Sequence, residues 1–139
     1  MGQQQLILVL LVTIIIGIST VVAINVFSLV SENKNRDAVI NDLISGATNA
    51  QQIWERPAFM GGINKNFQNN EELIIQAIGI PGIRDGITIT NSNGVYSITP
   101  QGADILDIEG IASISGETII LTVFRTNYGR WDIEFKENE

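Results

Sequence analysis

No Asp, Glu, Lys or Arg precedes Glu32, and within that uncharged stretch lies a nearly unbroken apolar run, Leu6–Val30, reading LILVLLVTIIIGISTVVAINVFSLV. As a helix, its roughly 25 residues would reach ~38 Å, more than the ~30 Å hydrocarbon thickness of a bilayer. A helix that is apolar on every side needs cover all round, and the rest of this chain is too small to wrap it. Its polar interruptions, Thr13, Ser19, Thr20, Asn25 and Ser28, are uncharged, and their hydroxyls can bond back to their own helix. The run is therefore expected to be a membrane span or the core of an oligomer. A cleaved signal peptide fits less well. No basic residue precedes the run, it is too long for an ordinary h-region, and Val21-Val22-Ala23 makes a poor cleavage site.

The helical pattern does not end with the apolar run. Ile40, Leu43, Ala47, Ala50 and Trp54 follow at spacings of three and four, one continuous stripe. Glu32, Lys34, Arg36, Asp37, Asn41, Asp42 and Gln51 lie around it and suit a wet opposite face. Pro57 supplies the stop, because it pushes residue 56 out of the α region. One helix from about Gln3 to Glu55, ~80 Å long, is expected. The chain then divides into an apolar helix (1–31), its amphipathic continuation (32–56) and a head (57–139).

All the charge, 8 basic and 15 acidic residues for a net −7, falls from Glu32 onward. An acidic head repels nucleic acid, so nucleic acid is not an expected partner. The chain has no Cys and no His, which excludes disulfides, thiol nucleophiles, Ser-His-Asp triads and zinc sites built on imidazole or thiolate.

In layout, Gly2 to about Trp54 resembles the type IV pilins and the pseudopilins of type II secretion. Gly2-Gln3 ahead of the apolar run resembles a prepilin-peptidase junction and the leaders of archaeal class III signals. The start Met-Gly-Gln-Gln-Gln is similar to that of a set of bacterial pilin-like proteins. Three features depart from the pilin pattern: only Met1-Gly2 could act as a leader, Ile7 stands where an acidic residue is usual, and the span has no Pro, leaving Gly17 as its weak point. The resemblance implies a long helix plus a β-sheet head. It also implies polymerisation and an assembly machinery as partner.

After Pro57 the chain turns Gly-, Asn- and Ile-rich. Ala58–Gln68 reads as a loop around Gly61-Gly62, and Asn70 as the cap of a short helix through Ala77 or Ile78, ended by Gly79 and Pro81. Five strands are then expected: Ile87–Thr90 and Val95–Ile98 around an Asn93-Gly94 turn, Ile111–Ser115 and Thr118–Thr126 around Gly116-Glu117, and Arg130–Phe135. The fold class is α+β: a long N-terminal helix plus a small antiparallel β-sheet head. One face of the sheet is expected on the Ile40–Trp54 stripe.

Candidate chemistry is thin. Asp104, Asp107 and Glu109 lack the order of a calcium loop and read as a solvated connection. Gly79, Gly82 and Gly86 lack the Gly-Lys-Ser/Thr of a phosphate loop. Glu71-Glu72 and Asp132/Glu134 read as surface charge. No cofactor, metal or catalytic residue is expected, and an enzyme is not.

The expected function is structural. The chain would sit in the cell membrane first and then form an extracellular or cell-surface helical homopolymer. Gln3, Gln4, Gln5, Leu6, Leu10, Ile14, Gly17, Val21 and Phe27 would line the filament core, and Ile40, Leu43, Ala47, Ala50 and Trp54 the helix–sheet seam. The alternatives are a monomeric single-span protein whose head binds a partner or ligand, and a pseudopilin of a secretion machine. Gln3, Gln4 and Gln5 are expected to hydrogen-bond between helices, in place of the salt bridge that Ile7 forecloses.

Overall fold

The computed structural model describes residues 2–137, so Met1, half of the candidate leader Met1-Gly2, lies outside the described residues, as do Asn138 and Glu139. The fold is α+β, and the chain forms two compact units, one up to Lys34 and one from Asn35 onward. A single helix, α1 (Gly2–Glu55), contributes its first part to one unit and its last turns to the other. Nothing in its 54 residues breaks it. Gly17 leaves it helical, because a lone Gly costs only about 1 kcal/mol relative to Ala. Pro57 ends it, followed by a short 3-10 turn at Ala58–Met60.

In the second unit α1 buries Asn35, Val39, Leu43, Gly46, Ala47, Ala50, Ile53 and Trp54. Helix α2 (Glu71–Ala77) adds Ile74 and Ile75 to the same core. Beyond it comes an antiparallel meander in sequence order: β1 (Ile83–Asp85), β2 (Thr88–Thr90), β3 (Gly94–Pro100), β4 (Ile105–Ala112), β5 (Thr118–Arg125) and β6 (Trp131–Glu137). Period-two alternation puts Tyr96 and Ile98, Leu106 and Ile108, and Leu121 and Val123 on the core face. Their register is direct: Ile98 opposes Ile108, which opposes Leu121. Gly110 opposes Tyr96. A Cβ on Gly110 would come within 2.8 Å of Val39 Cγ1, so a glycine there lets α1 close on the sheet.

Several local expectations are corrected. The sheet has six strands, not five. β1 escaped notice because its three residues are all exposed and carry no alternation. Its turn to β2 uses Gly86 at φ +60°. The strand expected at Ile111–Ser115 is instead β4, Ile105–Ala112, so most of the acidic run is itself strand: Asp107 and Glu109 alternate with inward Leu106, Ile108 and Gly110. Asn93-Gly94 is not a two-residue turn. Thr90 pairs with Val95 across a four-residue loop, closed by Asn91, whose Oδ1 accepts the N–H groups of Asn93 (2.8 Å) and Gly94 (3.1 Å). Gly94 already belongs to β3, where a Cβ would collide with the Ile111 carbonyl. Gly116 closes the five-residue loop from β4 to β5 at φ +72°, with its N–H donating to Ala112 O. Asn70 precedes α2 without a side-chain cap bond; its Nδ2 donates backward to Asn66 O and Gln68 O.

Asp42 does not lie on a wet face. With Asn35 and Asn49 it recurs every seven residues, and this polar stripe of α1 clasps the loops of the head. Asn35 donates to Asn93 O (2.8 Å) and accepts from Ile114 N (3.1 Å). Asp42 Oδ2 accepts from Tyr96 Oη (2.6 Å), Asn93 Nδ2 (3.0 Å) and Asn91 Nδ2 (3.3 Å). Asn49 donates to Ile78 O (2.7 Å). Each bond satisfies a polar group that closure of the core takes from water.

Candidate functional site: the exposed apolar helix

In the first unit, every α1 residue from Gly2 to Val30 is exposed. The expected core-lining residues are all there: Leu6 is 69% exposed, Phe27 77%, and Leu10, Ile14, Gly17 and Val21 are likewise uncovered. Ile and Val are mediocre helix formers, so the isolated segment gains little from propensity and much from whatever covers it. By length and composition the helix can cross a membrane.

Its polar groups behave differently from one another. Thr13 Oγ1 donates to Val9 O and Leu10 O, at 3.0 and 2.8 Å, and Thr20 Oγ1 to Ile16 O at 2.7 Å. These hydroxyls are satisfied within the helix and tolerate an apolar surround. The side chains of Gln3, Gln4, Gln5 and Asn25 make no hydrogen bond among the described residues, so each amide keeps donors and an acceptor to offer.

In the second unit the structure places Leu43, Ala47, Ala50 and Trp54 in the core, with Ile40 half-buried against it. Trp54 anchors one end. Its Nε1 donates to Ala103 O at 3.0 Å, and its ring meets Trp131 edge-on at 5.1 Å. Arg125 Cζ stands 4.9 Å from the Trp54 ring centroid and Lys65 Nζ 5.6 Å. Glu55 accepts from Trp131 Nε1 at 3.2 Å. At the other end a groove of about 350 Å³ is lined by Arg36, Ile40, Glu117, Thr118, Ile119, Phe135 and Lys136. Arg36 Nε donates to Glu117 there at 3.3 Å. The groove holds an ion pair, an ammonium, the Thr118 hydroxyl and apolar side chains.

Of the carboxylates singled out in the sequence, Asp107 is engaged structurally. Asp107 accepts from Thr122 Oγ1 (2.6 Å) and Gln101 Nε2 (3.1 Å) and lies 3.6 Å from Lys136 Nζ. Among the described residues no three His, Cys, Asp or Glu side chains are grouped to hold a metal ion. The exposed helix is therefore the feature that asks for an explanation. A comparison with known protein families, characterised proteins and solved structures finds no match to this chain.

Proposed function

We propose that this chain is a structural subunit of a type IV pilin-like filament, held in the membrane by its N-terminal helix and then polymerised through it. The observation that carries the reading is the uncovered stretch Gly2–Val30, whose most apolar window reaches a mean hydropathy of 3.0 with none of it buried. Such a surface is not stable in water. A bilayer or a bundle of identical helices would cover it. Exchanging lipid for neighbouring helices is nearly neutral in apolar terms, so helix packing, interhelix hydrogen bonds and head contacts must tip the balance toward polymer. The long helix with an antiparallel sheet on its last turns is compatible with a pilin-like plan.

The second reading is a single-span membrane protein with an exposed head. The capacity of the helix to cross a bilayer favours it as much as it favours the first. Shearing cells and imaging the released material separates the two. The filament reading expects the chain in sheared filaments; recovery in the membrane fraction alone would leave the single-span reading.

A further inference from the structure

We propose that, while in the membrane, two copies of this chain pair in parallel and in register through a seam centred on Asn25. The inference rests on the reading of Leu6–Val30 as a membrane span, but not on polymerisation.

Asn25 carries the one amide between Leu6 and Val30. It lies about 10 Å along the helix from the middle of the run, inside a hydrocarbon half-thickness of ~15 Å. Thr13 and Thr20 give their hydroxyls to their own helix, and Ser19 and Ser28 can do the same. An asparagine has two N–H donors and a carbonyl, too much for the preceding turn to absorb. Its amide is exposed and makes no bond among the described residues. In lipid it needs a partner that lipid tails do not supply.

The sequence around it defines where that partner lies. Leu11, Ile15, Ile18, Val22, Asn25 and Leu29 recur at spacings of four and three, an a/d stripe with a single polar member. Gln4 falls on the same stripe, three heptads before Asn25. Every copy carries its charge on the same side of the span, from Glu32 onward, so copies in one membrane run parallel. In register, Asn25 then faces Asn25. An amide is self-complementary, each donating to the other's carbonyl. A lone asparagine in an apolar seam fixes register because any slip leaves both amides unpaired.

The chain has no native Cys, so single cysteines report proximity directly. Full-length protein in phosphatidylcholine vesicles, carrying Val22→Cys or Leu29→Cys on the seam or Ile16→Cys or Phe27→Cys opposite it, is oxidised and its disulfide dimers are counted. The seam positions should cross-link and the opposite ones should not. Adding Asn25→Leu to Val22→Cys should weaken dimerisation about three- to twenty-fold, the range of measured interhelix hydrogen bonds, and Asn25→Gln should restore part of it. Equal cross-linking on both faces, or a yield indifferent to Asn25→Leu, overturns the pairing while leaving the span intact. Protein released from the vesicles by alkaline carbonate overturns the span and the pairing together.

Discussion

Tyr96 donates its hydroxyl hydrogen to Asp42 Oδ2 across 2.6 Å, tying the middle strand of the head to the last turns of α1. Burial, and then the hydrogen bond to and negative charge of Asp42, hold the phenol pKa far above its ordinary value of 10.0. The folded head keeps this proton at a pH where the unfolded chain releases it. The contribution to stability is therefore complete below pH 10.0 and is lost progressively as pH rises above it. Urea denaturation of the full chain in detergent, from pH ~7 to ~11, should show this loss. Tyr96→Phe should be less stable near neutrality by about 1.5–3 kcal/mol, the worth of a hydrogen bond to a charged group, and should decline less steeply in alkali. Parallel curves for the two proteins would remove Tyr96 as the titrating group.

Trp54 is 5% exposed and has Trp131, Arg125 and Lys65 on its ring. Trp54→Ala should destabilise the head by about 3–5 kcal/mol, the usual range for a buried Trp truncation. An unchanged melting temperature would mean that α1 and the sheet are held elsewhere.

Gly110→Ala tests how closely α1 approaches the sheet. The added methyl would stand 2.8 Å from Val39 and 3.2 Å from the Tyr96 ring. Overpacking of this kind costs about 1–3 kcal/mol. Val39→Ala in the same protein should recover part of the loss, because it removes the colliding atom. Two losses that simply add would place the strain somewhere other than this contact.

The helix and its stop were legible because they rest on signals that tertiary structure seldom overrides: a long uncharged apolar run, a stripe at 3.6-residue period and Pro57. The stripe from Ile40 to Trp54 also reads directly as the face placed in the core. What escaped detection was carried by side-chain hydrogen bonds. Asp42 reads as part of a solvated face until the head loops close over it, although it shares a seven-residue spacing with Asn35 and Asn49. Asn93-Gly94 suggests a tight turn, but Asn91 holds the loop and Gly94 is needed for a close approach to β4. Asp107 and Glu109, weighed as ligands, have the period of a strand with Leu106 and Ile108. In the exposed helix, Asn25 looks like one more polar interruption. It is distinguished only once the threonine hydroxyls are seen to bond to their own turns.

Gln3, Gln4 and Gln5 stand exposed at the start of α1, and their side-chain amides make no hydrogen bond among the described residues. If they link neighbouring helices, replacing all three by Leu should reduce filament yield while leaving the head's thermal unfolding unchanged, since they belong to the first compact unit and the head to the second. Each unpaired amide in an apolar core would cost roughly 1–3 kcal/mol, so pairing should be visible as lost assembly when it is removed. A normal yield from the triple variant would mean that the tip stays wet.

In the proposed filament, Leu6–Val30 is covered by copies of itself. Removing detergent slowly from purified full-length protein in the absence of lipid, then imaging the product by electron cryomicroscopy, tests it most directly. Helical filaments are expected, with these residues at the axis and the six-stranded sheet, from Ile83 to Glu137, outside. Monodisperse monomers, or amorphous aggregates from a head that is still folded, would contradict it.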